Sequence, residues 1–228
     1  MSFETNIPHY ETETGDKILY PFGPPIFQTE VDSKFTQELL DEGRKLDIKT
    51  NDWNNKLAGN LKYGRSYHYN EDYLNKVEPY LKIYVERYLN GLITNHFQND
   101  KTIKAIFEIH TDRKTVRQGK LRLDTLWINF SKKHDFNPPH THTGLLSFVI
   151  FCKVPKEIFT VQADSNTKRA GEIHFTYGDQ ISNLHGTEYP VKPYENLMFI
   201  FPAELKHFVP PFWVDAERVS VSGNFIIC

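Results

Sequence analysis

Cysteine is nearly absent. Only Cys152, inside an apolar run, and Cys228 occur in 228 residues. Two thiols build no disulfide framework, so the chain must rest on a hydrophobic core, and Cys152 reads as a small buried hydrophobe. A reducing, cytoplasmic setting is the expectation. Charge of one sign is also missing: 27 Lys and Arg face 29 Asp and Glu, for a net charge of −2. That balance lacks the basic footprint of a nucleic-acid binder, so nucleic acid is not an expected partner. The longest apolar run, about Leu145 to Cys152, is far too short to cross a bilayer. Met1 to Asn6 shows no basic stretch leading into an apolar one, so neither a signal peptide nor a membrane partner is expected. There is no internal repeat and no low-complexity segment.

Aromatic residues, by contrast, are abundant at 14%, mostly Phe and Tyr, which favours a β-rich core. The length suits one compact domain in two parts. Residues 1–101 read as an arm, helices and edge strands packed on a core formed by 102–228. Residues 1–16 are polar and aperiodic, hence a loose arm. Residues 18–31 read as extended pieces broken by Pro21, Gly23, Pro24 and Pro25, which suggests edge structure. Asp32 or Ser33 can cap a helix with the apolar face Phe35, Leu39, Leu40 and Leu46. Residues 47–71 read as loop with one short strand at 63–69. Leu74, Val77, Leu81, Tyr84, Val85, Tyr88 and Leu92 then recur at helical steps, with Pro79 marking a start or kink.

From about Thr102 the pattern changes. An extended piece at 103–110 and a polar turn at 111–119 precede strands expected at 120–131, 145–154, 158–162, 172–177, 197–201, 206–209 and 218–227. Turns are expected at Pro155-Lys156, Asp164-Ser165-Asn166, Gly178-Asp179, Tyr189-Pro190 and Pro210-Pro211. Many short strands with no helix between them indicate a sandwich or barrel.

The chemistry concentrates in Pro138-Pro139-His140-Thr141-His142, just before the apolar run. In an extended chain, side chains at i and i+2 share a face, so His140 and His142 converge while Thr141 turns away. His207 follows 65 residues after His142, and Arg218-Val219-Ser220 opens the last strand. Imidazole suits iron, copper, zinc and nickel. The ordered set suggests a metal site on a β-scaffold, with Arg218 anchoring an acidic co-substrate. Ser220, Ser222 and Asn224 continue the face of Arg218. Trp127 and Asn129 could line the pocket as apolar wall and amide donor. Ligation needs deprotonated imidazole, so metal affinity is expected to fall on acidification near pH 6.5, the range of an unperturbed group.

The pieces Trp127-Ile128-Asn129, Pro139-His140-Thr141-His142, Leu146 to Phe151, Phe199 to Pro202, His207 and Arg218 to Asn224 together resemble the Fe(II)- and 2-oxoglutarate-dependent oxygenases, in the branch related to prolyl hydroxylases. The resemblance covers roughly residues 120–227. It implies a mainly β protein with flanking helices around a double-stranded β-helix, a jelly-roll or cupin-like core. It implies Fe(II) as metal and 2-oxoglutarate as co-substrate, with His140 the first ligand and His207 the distal one. Arg218 would meet the distal carboxylate of 2-oxoglutarate through its planar fork, helped by Ser220. His142 departs from the family pattern, because it stands where a carboxylate is usual. Either it completes a three-histidine set, or an acid such as Asp135, Asp164 or Glu172 serves instead.

The implied reaction consumes O2 and 2-oxoglutarate, releases succinate and CO2, and hydroxylates a peptide, an amino acid or a small molecule. Two rival readings remain: a cupin-like three-histidine metalloenzyme that does not use 2-oxoglutarate, and a non-enzymatic jelly-roll binding module. The first explains His142 but not Arg218; the second treats the histidines as incidental.

Overall fold

The computed structural model describes residues 9–19, 23–95, 121–161, 169–179 and 186–227. The N-terminal part supplies strands β1 (His9–Glu11), β2 (Lys17–Leu19), β3 (Ile26–Glu30) and β4 (Arg65–His68). It also supplies helices α1 (Ser33–Arg44), α2 (Ile48–Asn51) and α3 (Glu71–Asn95). The remainder is β5 (Leu121–Ser131), β6 (Asn137–His140), β7 (Leu146–Lys153), β8 (Ile173–Thr176), β9 (Glu188–Val191), β10 (Leu197–Pro202), β11 (Lys206–Val209) and β12 (Arg218–Ile227).

The strands form an eight-stranded sheet in the order β1-β2-β3-β10-β7-β12-β5-β4 and a four-stranded sheet in the order β6-β11-β8-β9. Val149, Phe151, Phe199 and Phe201 of the large sheet pack against Ile173, Phe175 and Val209 of the small one. On its other side the large sheet presents Leu126, Ile128, Phe130, Phe148, Val219 and Val221 to Phe35 and Leu39 of α1 and to Val77, Leu81, Val85 and Tyr88 of α3. Side-chain alternation along each strand makes this two-sided use possible. Each fully buried Phe or Leu contributes about 1.5–3 kcal/mol relative to exposure. The double-stranded β-helix with flanking helices is the architecture expected from the motifs.

The helices begin where their caps place them. The Asp32 side chain accepts from the Lys34 N–H at 2.7 Å, and Asn70 accepts from the Tyr73 N–H at 2.9 Å. Helix α3 therefore starts before Pro79 and runs through it. No described helix is long and apolar enough to cross a membrane.

Several expectations needed correction. Residues 9–11 are a strand paired with β2, not part of a loose arm. Strand β3 lies inside the large sheet, between β2 and β10, with Ile26 and Phe27 fully buried, because the prolines fall before it. Lys156–Phe159 is a 3-10 turn rather than a strand; it follows Pro155 and buries only Ile158. Pro190 is not in a turn but in β9, opposite His174. It is tolerated there because β9 is the edge of the small sheet among the described strands, where a missing N–H donor leaves no bond unmade. The extended piece at 103–110 and the turn at 111–119 lie outside the described residues, as does Asp164.

Candidate metal centre

His140 is the last residue of β6 and pairs directly with His207 of β11 across the small sheet. His142 follows two residues later, where its N–H donates to the Ala203 carbonyl at 2.8 Å. The three rings meet: centroids are 4.3 Å apart for His140 and His207, 4.9 Å for His140 and His142, and 5.0 Å for His142 and His207. One ring nitrogen of each lies within 4.8 Å of the others. Trp127 stands 5.4 Å from the His142 ring, and Phe201 stands 4.9 Å from the His207 ring.

The hydrogen bonds set the tautomers. His140 Nδ1 lies 2.7 Å from the Pro138 carbonyl, and His207 Nδ1 lies 3.0 Å from the Leu205 carbonyl. A carbonyl only accepts, so each Nδ1 carries the hydrogen and each Nε2 keeps its lone pair for a ligand. His142 Nε2 and His207 Nε2 are 3.2 Å apart. Two nitrogens bound to one cation at about 2.1 Å would be separated by about 3.0 Å at a right angle and about 3.4 Å at a tetrahedral one. The donor set therefore fits a divalent metal of the kind imidazole favours.

Burial also prepares the imidazoles. It pushes His207 down to about 3 and His142 down to about 4, helped in both by the neighbouring imidazoles. His140 is lowered by burial as well. All three are neutral at pH 7, the form a metal needs. The fall of metal affinity expected near pH 6.5 thus moves to more acid conditions.

Arg218, at the start of β12, is 4% exposed rather than a solvated strand-end charge. One Nη1 donates to the Gly171 carbonyl at 3.0 Å, while Nε is buried without a partner. Burial lowers its pKa to about 10, so it stays charged at neutral pH. Among the described residues no carboxylate pairs with it, since neighbouring Glu217 turns to Arg44 and Lys153. A buried charge left in this state is costly unless an anion joins it.

The three histidines and Arg218 share one cavity of about 420 Å³ with Trp127, Asn129, Ser220, Ser222 and Asn224. The three expected histidines and the residues expected around the co-substrate all line it. Asn129, 7% exposed, leaves its Oδ1 without a partner. Asn224 is fully used, accepting from Ser147 Oγ at 2.7 Å and donating to Thr125 Oγ1 at 2.9 Å. Of the alternative acids, Asp135 is tied up as acceptor from the Tyr63 N–H at 3.0 Å and the Lys132 N–H at 2.8 Å. Glu172 pairs with Arg169 at 3.3 Å. Neither lines the cavity. Trp53, Lys56, Leu57, Ala58 and Gly59 do line it, although their stretch read only as loop. No motif there pointed to a site.

Comparison with known proteins places these features in context. Residues 125–224 match the family described as "Putative 2OG-Fe(II) oxygenase", a span that includes every residue of the proposed ligand set and Arg218. No curated protein matches the chain. Among solved structures, HygX from Streptomyces hygroscopicus with nickel, 2-oxoglutarate and hygromycin B bound is similar at a TM-score of 0.50 and 11% identity, covering 88% of this chain and 82% of that one. A Pseudomonas putida prolyl-4-hydroxylase gives a TM-score of 0.48 at 14% identity over 88% and 91% of the two chains. The prolyl hydroxylase of Trichoplax adhaerens, in complex with a hypoxia inducible factor fragment, gives 0.49 at 10% identity over 88% and 83%. HygX shares the fold with this chain.

Proposed function

We propose, taking the 2OG-Fe(II) oxygenase family match of residues 125–224 as the premise, that the protein hydroxylates its substrate with Fe(II) and 2-oxoglutarate. The observation that carries this reading is one cavity holding three converging neutral imidazoles and a buried arginine that no carboxylate pairs among the described residues.

His140, His142 and His207 would hold the iron, which when bound supplies the activation of O2. Pro138 and Leu205 carbonyls keep the imidazoles of His140 and His207 turned toward it. Arg218 receives the distal carboxylate of 2-oxoglutarate, because a guanidinium fork offers two parallel donors and this one has no carboxylate partner among the described residues. Ser220, two residues along the same strand face, adds a hydroxyl to that carboxylate. Asn129 lines the same cavity, where only its Nδ2 hydrogens would donate to the oxygens of the co-substrate, and Trp127 supports the His142 ring and excludes water. In balance, one C–H bond of the substrate becomes C–OH while 2-oxoglutarate and O2 become succinate and CO2. No separate acid–base pair is required. Peptides, amino acids and small metabolites all fit this description, and a cytoplasmic setting agrees with the scarcity of cysteine.

The test is succinate release from 2-oxoglutarate with Fe(II) across a panel of such substrates. Stoichiometric succinate and hydroxylated product support the reading. The all-histidine donor set favours one second reading, a cupin-like metalloenzyme without 2-oxoglutarate. Metal-loaded protein that binds metal but not 2-oxoglutarate would establish that second reading instead.

A further inference from the structure

We propose that the substrate is a small molecule bearing a carboxylate, which Lys56 meets at the mouth of the metal cavity. This inference rests on the oxygenase reading above.

The first support is the charge of the walls. Among the described lining residues are two permanent cations, Lys56 and Arg218, and no Asp or Glu. Three neutral imidazoles leave the metal's double positive charge intact, whereas a carboxylate ligand would cancel half of it. Bound 2-oxoglutarate brings two negative charges, which offset the metal. The charges of Arg218 and Lys56 then remain. A low-dielectric cleft lined by one sign of charge concentrates molecules of the opposite sign and repels like ones. An anionic substrate is drawn in and a cationic one is turned away.

The second support is that Lys56 sits on a fixed brow over the cavity. At one end Asp52 bridges Tyr67 of β4, and the Trp53 N–H donates to the Ser66 carbonyl at 3.0 Å. The Ser66 N–H returns a bond to Asn54 Oδ1 at 2.9 Å. At the other end Asn60 bridges Phe136, with its N–H donating to the Phe136 carbonyl at 2.8 Å. A Cβ on Gly59 would come 1.9 Å from Asn137 Oδ1, so the chain lies flush against the strand that carries His140. Lys56 is exposed, and among the described residues no carboxylate pairs with it. The cavity of about 420 Å³ lies at the small end of the range for ligand sites. With 2-oxoglutarate inside, it suits a small molecule.

The experiment uses the full chain loaded with Mn(II), which is paramagnetic, and saturated with 2-oxoglutarate. The probes are benzoate with benzamide and N-acetylglycine with N-acetylglycinamide. Proton relaxation of each probe reports approach to the metal without turnover. The acids should be relaxed about fivefold more than their amides, the factor supplied by an ion pair at the strong end of the exposed range. Lys56→Gln should erase that preference, and Lys56→Glu should transfer it to benzylamine. Relaxation of the 2-oxoglutarate protons should be unchanged in both variants. Equal relaxation of acids and amides, no relaxation of any probe, displacement of 2-oxoglutarate by the acids, or an undiminished preference in Lys56→Gln would overturn the inference. Failure of wild-type protein to relax 2-oxoglutarate at all would instead overturn the oxygenase reading beneath it.

Discussion

The two faces of the eight-stranded sheet come from the same strands and are built to opposite standards. Toward α1 and α3, strand β5 presents Leu126, Ile128 and Phe130, and β12 presents Val219 and Val221, all in a closed apolar layer. Toward the small sheet, the alternate residues of those strands are Trp127, Asn129, Arg218, Ser220, Ser222 and Asn224. On the first face these strand residues carry no polar side chain, and the one buried hydroxyl without a partner in that layer among the described residues, that of Tyr73, comes from α3. The second buries an arginine with a free Nε and an asparagine with a free Oδ1. Such groups cost stability unless something binds them. Binding capacity on this scaffold is therefore read from what the fold leaves unpaired, not from what it packs.

The sharpest break of this contrast is at the metal. His207→Ala or His140→Ala should abolish metal retention, measured by elemental analysis of purified protein, while circular dichroism stays native. Full iron content in His207→Ala would remove this site from consideration. Next in size, Arg218→Ala should weaken 2-oxoglutarate binding by roughly 30-fold or more, as loss of a buried charge-assisted pair costs about 2–5 kcal/mol. Calorimetric titration of the metal-loaded variant reads this, and unaltered affinity would move the cupin-like reading ahead.

A smaller effect separates two asparagines on the same face. Asn224→Ala strands Ser147 and Thr125 and should cost about 1–3 kcal/mol in urea denaturation. Asn129→Ala removes an amide whose Oδ1 has no partner and should leave stability nearly unchanged, while loss of its Nδ2 donor should weaken 2-oxoglutarate binding. Equal destabilisation would contradict the division into used and waiting groups.

The smallest effect concerns pH. The folded-state values of His142 and His207 lie near 4 and 3, below the unfolded value of about 6.5. The unfolded chain then binds more protons in that interval. The imidazoles' contribution to metal-free stability is complete above about pH 6.5 and is lost as pH falls toward 4 and 3. Within the folded protein, His142 and His207 take up protons only near those lower values, and burial lowers His140 in the same direction. Zinc retention in equilibrium dialysis should change less than about fivefold between about pH 7.5 and 5.5. A loss centred near 6.5 would mean that the imidazoles titrate as exposed groups.

Much of this site was legible in the sequence because it is local. The i, i+2 spacing of His140 and His142 and the alternation along Arg218 to Asn224 are properties of extended chain, and strands β11 and β12 have the bounds their residue pattern suggests. The pairing of His140 with His207 across the small sheet needed the resemblance to a known family. Lys56 and Trp53 were not legible. They reach the cavity through two isolated bridges, Asp52 to Tyr67 and Asn60 to Phe136, and a contact between residues far apart in the chain leaves no periodic trace. Pro190 misled for a related reason: proline marks a turn in sequence, but an edge strand accepts it once the sheet order is known. Arg218 was legible as an anchor for an acidic co-substrate, but that its neighbour Glu217 turns away to Arg44 and Lys153 was not.

The central claim is that three histidines and no carboxylate make the metal site. X-ray absorption of the Fe(II)-loaded protein, prepared anaerobically and read together with a crystal structure of the same complex, tests it most directly. The account predicts imidazole nitrogens from His140, His142 and His207 at about 2.0–2.2 Å, with no protein carboxylate oxygen at that range. A carboxylate bound at that distance, from Asp164 or any other acid, with His142 turned away, would contradict it.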